Sequence, residues 1–313
     1  MAVSADEGQR LPEGVLVGHW TDPVGRTGCT VILAPAGAVA GVDVRGAAAS
    51  TLSSDTLRPG TLVERAHAIL LTGGSAFGLD AAGGVMQYLE ERQVGYALAS
   101  VRVPIVAGAV IFDLANGDPR ARPDRQAGYS ACVAATPEPA VGAVGAGTGA
   151  TVAKGGAPSQ VRPGGFGMAA ARADVATVTA AIVTNSVGGV WDDERHDWVV
   201  EHTAWSRPAP LFAGTNTTVG ALLTDAALTK EQANRVATVA QDGIARAIRP
   251  SRTMYDGDTL FCLATGAVEA SYDAVESAAA KVVARAIADG VRAAQLPTAG
   301  PGAPPGANTR AAP

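Results

Sequence analysis

Short apolar runs bounded by glycine and polar turns alternate along this chain with segments whose apolar residues recur every three to four positions. GVLVGHW, CTVILAP and AGVDV near the N-terminus, then AILLTGG and IVAGAVIFDL, read as strands, because β-branched and aliphatic residues run unbroken between turn formers. A helix is predicted over about 76–91. RADVATVTAAIVTNSVGGVWD predicts two further strands or one long, bent one, and the polar, proline-containing DDERHDWVVEHTAWSRPAPLFAG after it reads as a surface linker. TVGALLTDA and DTLFCLATG are strands, each followed by a helix with one apolar face. The first, over 230–248, aligns Val236, Val239, Ala240, Ile244 and Ala247 and stops short of Pro250; the second, over 272–294, aligns Val275, Ala279, Val282, Val283 and Ala286. Interleaved strands and helices, with many small residues allowing close layers, predict an α/β or α+β sandwich. Residues 1–13 read as a loose polar arm and 296–313 as a Pro/Gly/Ala tail, leaving 14–295 as a single globular domain.

Composition narrows the function. With 313 residues, 47% of them hydrophobic, the chain can bury one sizeable core. Its 24 basic and 29 acidic side chains, net −5, are spread without long runs, so no partner nucleic acid or anionic membrane surface is expected and small-molecule chemistry is favoured. No apolar run reaches membrane-spanning length and MAVSADEGQRLPEG lacks the features of a secretory signal, which predicts a cytoplasmic protein. Cys29, Cys132 and Cys262 are far apart in apolar surroundings and read as buried free thiols, with Cys262 set apart only by its nearness to a DGD stretch. His19, His67, His196 and His202 show no metal-ligand spacing, and neither a GxSxG elbow nor a phosphate loop is present, so no metal and no cofactor are expected.

Two stretches could carry chemistry. LTGGSAFGLDAAGG passes from a strand to a helix with GGxxxG spacing instead of the dinucleotide GxGxxG; the N–H groups around Gly73, Gly74 and Ser75 either close a tight turn or line a pocket or oxyanion hole. AGTNTTVGALLTDAALT, 213–229, sets Asn216-Thr217-Thr218 at the doorway of a strand. Taken alone, that motif fits β-branched strand residues behind a loop. It equally offers a nucleophile that needs no histidine: cutting the bond before Thr217 would give it a free α-amine of pKa roughly 8, able to take its own hydroxyl proton. The hydroxyl could make that cut by attacking the Asn216 carbonyl. Lys154 stands out as one of three lysines, set in the small-residue stretch GTGATVAKGG.

The NTT stretch, followed by MYDGDTLFCLATG, resembles the DmpA-type family of self-cleaving aminopeptidases and amide hydrolases, and most of all its endo-acting nylon-oligomer hydrolase branch. TVILAPAGAVAGVDVRG, AILLTGGSAFGLDAAGG, IVAGAVIFDL, GAVGAGTGATVAKGG and AAIVTNSVGGVWD extend the resemblance in matching order over about 15–287. It implies a four-layer αββα sandwich of N-terminal-nucleophile-hydrolase type, an α+β fold. It further implies a precursor cut between Asn216 and Thr217 into chains 1–216 and 217–313, and a homo-oligomer of such αβ units acting on a small peptide or amide oligomer through an acyl-enzyme.

In the family pattern Thr217 is the nucleophile and Lys154 and Asn185 face it, an ammonium and an amide N–H suited to a developing oxyanion. Asp258 orients the nucleophile and Asp256 supports it, although a DG pair also fits a plain Asx turn. Phe112 stands where family members often carry a tyrosine, so a phenolic O–H is missing. An ornithine-acetyltransferase-like acyltransferase with the same nucleophile, and an uncut binding protein of the same fold, are the alternatives.

Overall fold

The computed structural model describes residues 8–202 and 215–296. Eight principal strands, β1 (Leu16–Asp22), β2 (Thr27–Val44), β3 (Arg65–Thr72), β4 (Val106–Val110), β5 (Gly165–Ala173), β6 (Ala176–Asn185), β7 (Thr217–Ala226) and β8 (Thr259–Val268), form one continuous ladder. Its order is β5-β6-β7-β8-β2-β3-β4, with the short strand Thr51–Leu52 at the far edge and β1 paired along the first half of β2. Four helices cover it: α1 (Ala81–Glu91), α2 (Arg125–Val133), α3 (Lys230–Ala247) and α4 (Tyr272–Ala294).

The ladder folds into two layers through β2. CTVILAP and AGVDV, expected as two strands, are one 18-residue strand. Its pairing with β3 shifts register between Leu33 and Ala38, around Gly37 at φ 77°, a backbone that favours glycine. Before the shift β2 pairs with β1 and β3; after it, β2 keeps β3 only at Ala38 and Val39 and pairs with β8 over Val39–Val44. Side-chain alternation then sorts the core into three sheets of contact. Cys29, Val31 and Leu33 pack with α1 and α2. Ile32 and Ala34 turn the other way, to meet Val219, Ala221 and Leu223 of β7, Ala181 and Val183 of β6, and Phe261 and Leu263 of β8. Leu222, Ile182, Leu260 and Cys262 face α3 and α4. Two strand layers back to back with helices outside each make the αββα sandwich that the resemblance implies.

The two C-terminal helices follow their sequence patterns. All five expected residues of α4 are buried; in α3, Val236, Ala240, Ile244 and Ala247 are buried and Val239 is half-buried. Thr229 and Gln232 cap α3 reciprocally: the Gln232 N–H donates to Thr229 Oγ1 at 3.2 Å and the Thr229 N–H to Gln232 Oε1 at 2.9 Å.

Several expectations change. The helix expected over 76–91 starts as a 3₁₀ turn, Ser75–Asp80, before α1. The short α2 and most of β5 carried too few distinct positions to be read. Within the expected linker, Asp197–Val200 is a strand paired with Gly189–Asp192, while 203–214 lies outside the described residues. Residues 8–12 are no loose arm: Leu11 is buried, the Gly8 carbonyl accepts the Ala170 N–H at 3.0 Å and the Arg10 carbonyl accepts the Thr179 hydroxyl at 2.5 Å. The other expected terminal segments, 1–7 and 297–313, lie outside the described residues.

Candidate active site

Strand parity aims the doorway residues. Val219, Ala221 and Leu223 point between the two strand layers, so Thr217, two residues earlier, does too, while Thr218 faces the other way. The same count on β6, from Ala181 and Val183, sends Asn185 to that space, and Asn185 and Thr217 are direct cross-strand partners. Both are buried. The mouth of the interlayer space thus receives a hydroxyl and a carboxamide side by side.

The Asn216–Thr217 peptide is held from two sides. Thr217 Oγ1 donates to the Asn216 carbonyl at 2.5 Å and the Gly257 N–H donates to the same oxygen at 2.8 Å. Asn216 also forms an isolated parallel bridge with Asp256, so the turn before β8 runs alongside the entry to β7. Because β7 and β8 are parallel neighbours, both begin at the same end of the layer, and this is what unites the NTT and DGD stretches.

Lys154 reaches in from the loop after the short strand Thr151–Val152. Its Nζ donates to Asn185 O at 2.9 Å, Asn185 Oδ1 at 2.8 Å and the Thr215 carbonyl at 3.0 Å. Asn185 Oδ1 also accepts the Thr151 N–H at 3.0 Å, and Asn185 Nδ2 donates to the carbonyls of Thr215 and Phe112, each at 3.2 Å. Every hydrogen-bonding group of this carboxamide has a partner, which fixes its orientation. Burial pulls the Lys154 ammonium down to about 7, against the opposing pull of Asp256 and Asp113.

Asp256 and Asp258 are both buried. Asp258 Oδ1 accepts the Thr218 N–H at 2.8 Å; Asp256 Oδ2 accepts from the Thr253 N–H at 2.8 Å and the Thr253 hydroxyl at 2.7 Å. Burial, then the neighbouring Asp256 charge, push Asp258 up to about 7, and burial raises Asp256 despite its Thr253 hydrogen bonds. The segment 45–48 braces this turn: the Arg45 and Gly46 N–H groups both donate to the Asp258 carbonyl at 3.1 Å, and the Ala48 N–H to the Asp256 carbonyl at 3.0 Å.

The glycine-rich turn does something else. The Gly73 N–H donates to the Gly28 carbonyl at 2.9 Å, the Gly74 N–H to Asp113 Oδ1 at 2.7 Å and the Ser75 N–H to the Ile111 carbonyl at 3.0 Å. These amides are spent inside the protein, and the oxyanion-hole reading of Gly73, Gly74 and Ser75 gives way to the tight turn. Phe112 meets the site through its backbone, by the carbonyl that accepts from Asn185. Asp113, passed over in the sequence, ties the two regions together: it is buried, receives Thr27 Oγ1 at 2.7 Å and the Gly74 N–H, and is raised by burial. An aspartate closing an apolar strand was the signal. Gly257 was also passed over, because a backbone donor leaves no mark on residue type.

The remaining candidates fall outside the site. His19 Nε2 donates to the Ala140 carbonyl at 3.1 Å and its Nδ1 pairs with Thr30 Oγ1 at 2.9 Å, and burial lowers the ring to about 4; His67 is buried and takes the Ile105 N–H at 3.1 Å. The three cysteines are free and buried, and Cys262 points to the α3–α4 side, with burial pushing its thiol up to about 12. Among the described residues no helix is long and apolar enough to cross a membrane.

Comparison with known proteins agrees with this architecture. The model of peptidase family S58 matches residues 13–302. The chain is 42% identical to an uncharacterized aminopeptidase of Mycobacterium tuberculosis, over 92% of this chain and 94% of that protein. It is 31% identical to a 6-aminohexanoate-oligomer endohydrolase of a Kocuria species, over 82% of this chain and 74% of that protein. Among solved structures, the L-aminopeptidase D-Ala-esterase/amidase of Ochrobactrum anthropi, described as a variant of the Ntn hydrolase fold, superposes with a TM-score of 0.72 at 19% identity, covering 92% of this chain and 88% of that one. A sandwich of this kind, with a buried hydroxyl, a buried carboxamide and two buried carboxylates beside a half-buried lysine at one strand end, belongs to an amide-bond hydrolase, and the chain is a member of peptidase family S58.

Proposed function

We propose that the chain is a self-processing N-terminal threonine amidohydrolase. It is cut between Asn216 and Thr217 and then hydrolyses amide bonds of peptides or ω-amino acid oligomers through an acyl ester on Thr217. The observation that carries this reading is the seating of the Asn216–Thr217 peptide, its carbonyl 2.5 Å from the hydroxyl of the next residue at the mouth of the interlayer space.

The division of labour follows from position. Before the cut, the Asp256–Asp258 pair, whose Asp258 accepts the N–H of the adjacent Thr218, takes the hydroxyl proton, a task suited to a carboxyl raised to about 7. After the cut, the freed α-amine of Thr217 becomes the base, with Asp258 orienting it. Lys154 and Asn185, which share the Thr215 carbonyl in the uncut chain, turn their N–H groups to the oxyanion of an incoming substrate once that strand end leaves. Peptides fit the aminopeptidase relatives and ω-amides the oligomer endohydrolases. We place the enzyme in the cytoplasm as a homo-oligomer of αβ units.

Intact mass with N-terminal sequencing tests the proposal. Wild-type protein should resolve into two chains, the smaller starting Thr217-Thr218-Val219. Thr217→Ala should remain one folded, inactive chain; cutting at the same bond in that variant overturns the mechanism.

A further inference from the structure

Two successive carbonyls lead up to the proposed cut, and they have different donors. Thr215, one residue upstream, accepts from Lys154 Nζ and Asn185 Nδ2. The carbonyl to be attacked, that of Asn216, accepts instead from the Gly257 N–H at 2.8 Å. We propose that the backbone N–H of Gly257 is the oxyanion donor of self-cleavage, while Lys154 and Asn185 serve that step by anchoring the upstream carbonyl. This rests on the reading of Thr217 as the nucleophile.

The step balances as follows. Thr217 Oγ forms a bond to the Asn216 carbonyl carbon, its proton passes to the Asp256–Asp258 pair, and the carbonyl electron pair moves to the oxygen that faces Gly257. Collapse of that oxyanion breaks the C–N bond, the proton moves to the departing Thr217 nitrogen, and an ester joins Asn216 to Thr217. One water then adds to the ester, one of its protons restoring the hydroxyl and the other passing to the freed Thr217 amine, and the Asn216 carboxylate is released.

The surroundings hold Gly257 to this task. The bridge from Asn216 to Asp256 fixes the lateral register of the two segments, and the bonds from Arg45, Gly46 and Ala48 to the carbonyls on either side of Gly257 prevent the turn from backing away. A Cβ on residue 257 would stand 3.0 Å from Thr217 Oγ1 and 2.8 Å from the Ala48 carbonyl, so the close approach of backbone to nucleophile requires glycine. A donor already in place on the ground-state carbonyl needs no reorganisation as charge develops there.

The test removes the N–H and nothing else from the side chains: glycolic acid in place of Gly257, introduced into the full chain by cell-free suppression, turns the amide into an ester. Self-cleavage, followed by intact mass, should slow about 10²- to 10³-fold in protein whose melting temperature matches that of Thr217→Ala. Cutting at the wild-type rate overturns the assignment. Should the ester chain fail to fold, Thr217→Ala precursor carrying ¹⁵N-glycine and carbonyl-¹³C asparagine decides it. A coupling across the hydrogen bond between Gly257 nitrogen and Asn216 carbonyl carbon is expected, and its absence overturns the assignment. Failure of the underlying reading has a separate signature: Thr217→Ala that is still cut.

Discussion

Two of the chain's three lysines are withdrawn from solvent, Lys154 half-buried and Lys230 buried, and they do opposite things. Lys230 opens α3 and is 3% exposed; its Nζ donates to Thr56 O at 3.2 Å, Thr61 O at 3.3 Å, Thr61 Oγ1 at 2.5 Å and Val63 O at 2.6 Å. Those acceptors all belong to one surface segment, 56–63, which the lysine pins to the helix. Lys154 donates to three oxygens, yet its acceptors come from a strand end and from Thr215, two residues before the proposed nucleophile, and two carboxylates, Asp256 and Asp113, act on its charge. Scarcity and burial are therefore common to a clamp and to a site residue. What separates them is whether the acceptors converge on a bond that can react.

The sharpest way to break this contrast is to remove both ammonium groups in turn. Lys154→Met should lower amide hydrolysis, measured on an aminoacyl anilide, by about 10²- to 10³-fold, since the proposed oxyanion loses its charged donor. Equal loss in Lys230→Met would erase the distinction.

Next in size is a pH effect on the uncut chain. Asp258, raised to about 7, is protonated below that value and cannot accept the hydroxyl proton, so self-cleavage should climb about tenfold per pH unit on the acid side and pass through a maximum near neutrality, where the Lys154 ammonium begins to lose its proton. Asp258→Asn should abolish that rise. The stability sign runs the other way: a carboxyl whose folded value lies above its unfolded one stabilises the fold at acid pH and loses that contribution as pH climbs through about 7. A precursor trapped as Thr217→Ala should accordingly melt lower at pH 8 than at pH 5.5 by whatever share Asp258 contributes, and Asp258→Asn should narrow the gap.

Smaller still is the cost of the clamp. Lys230→Met leaves half-buried carbonyls of the 56–63 segment without their donor, at roughly 1–3 kcal/mol, and should lower the melting temperature by roughly 2–5 °C while each cut molecule hydrolyses substrate as before. An unchanged melting temperature would show the cage to be ornamental.

These comparisons also mark how much the sequence disclosed. Unbroken apolar runs located β7 and β8, and periodicity located α3 and α4, because long amphipathic helices repeat their signal over several turns. It divided β2 at the very point where the strand passes between layers, since Pro35 and Gly37 look locally like a turn and only the pairing partners reveal continuity. Thr217, Asn185, Lys154, Asp256 and Asp258 lie in one neighbourhood at the entry to β7, a placement that the family resemblance implies and that spacing along the chain does not disclose. The glycine turn at 73–75 misled, because residue type discloses where N–H groups are plentiful and not whether Gly28, Ile111 and Asp113 have already taken them. Gly257 stayed hidden for the converse reason: its contribution is a direction of the backbone.

The least of the expected effects probes Asp113, which lies on the border between clamp and site. Its carboxylate fixes Thr27 and Gly74 in the manner of Lys230's cage, while its charge supports the Lys154 ammonium in the manner of Asp256. Asn at this position keeps the size and an acceptor oxygen but removes the charge, so the Lys154 ammonium, already drawn down to about 7, should fall further. As Lys154 then loses its proton at a lower pH, its charge-assisted hold on the Thr215 carbonyl weakens earlier, and the alkaline limb of the self-cleavage profile should move to lower pH by less than about one unit, equivalent to less than about 1.4 kcal/mol. A simple loosening of the 73–75 turn would lower the rate at every pH without moving that limb. A limb that stays in place in Asp113→Asn therefore puts Asp113 with Lys230, and one that shifts puts it with Lys154.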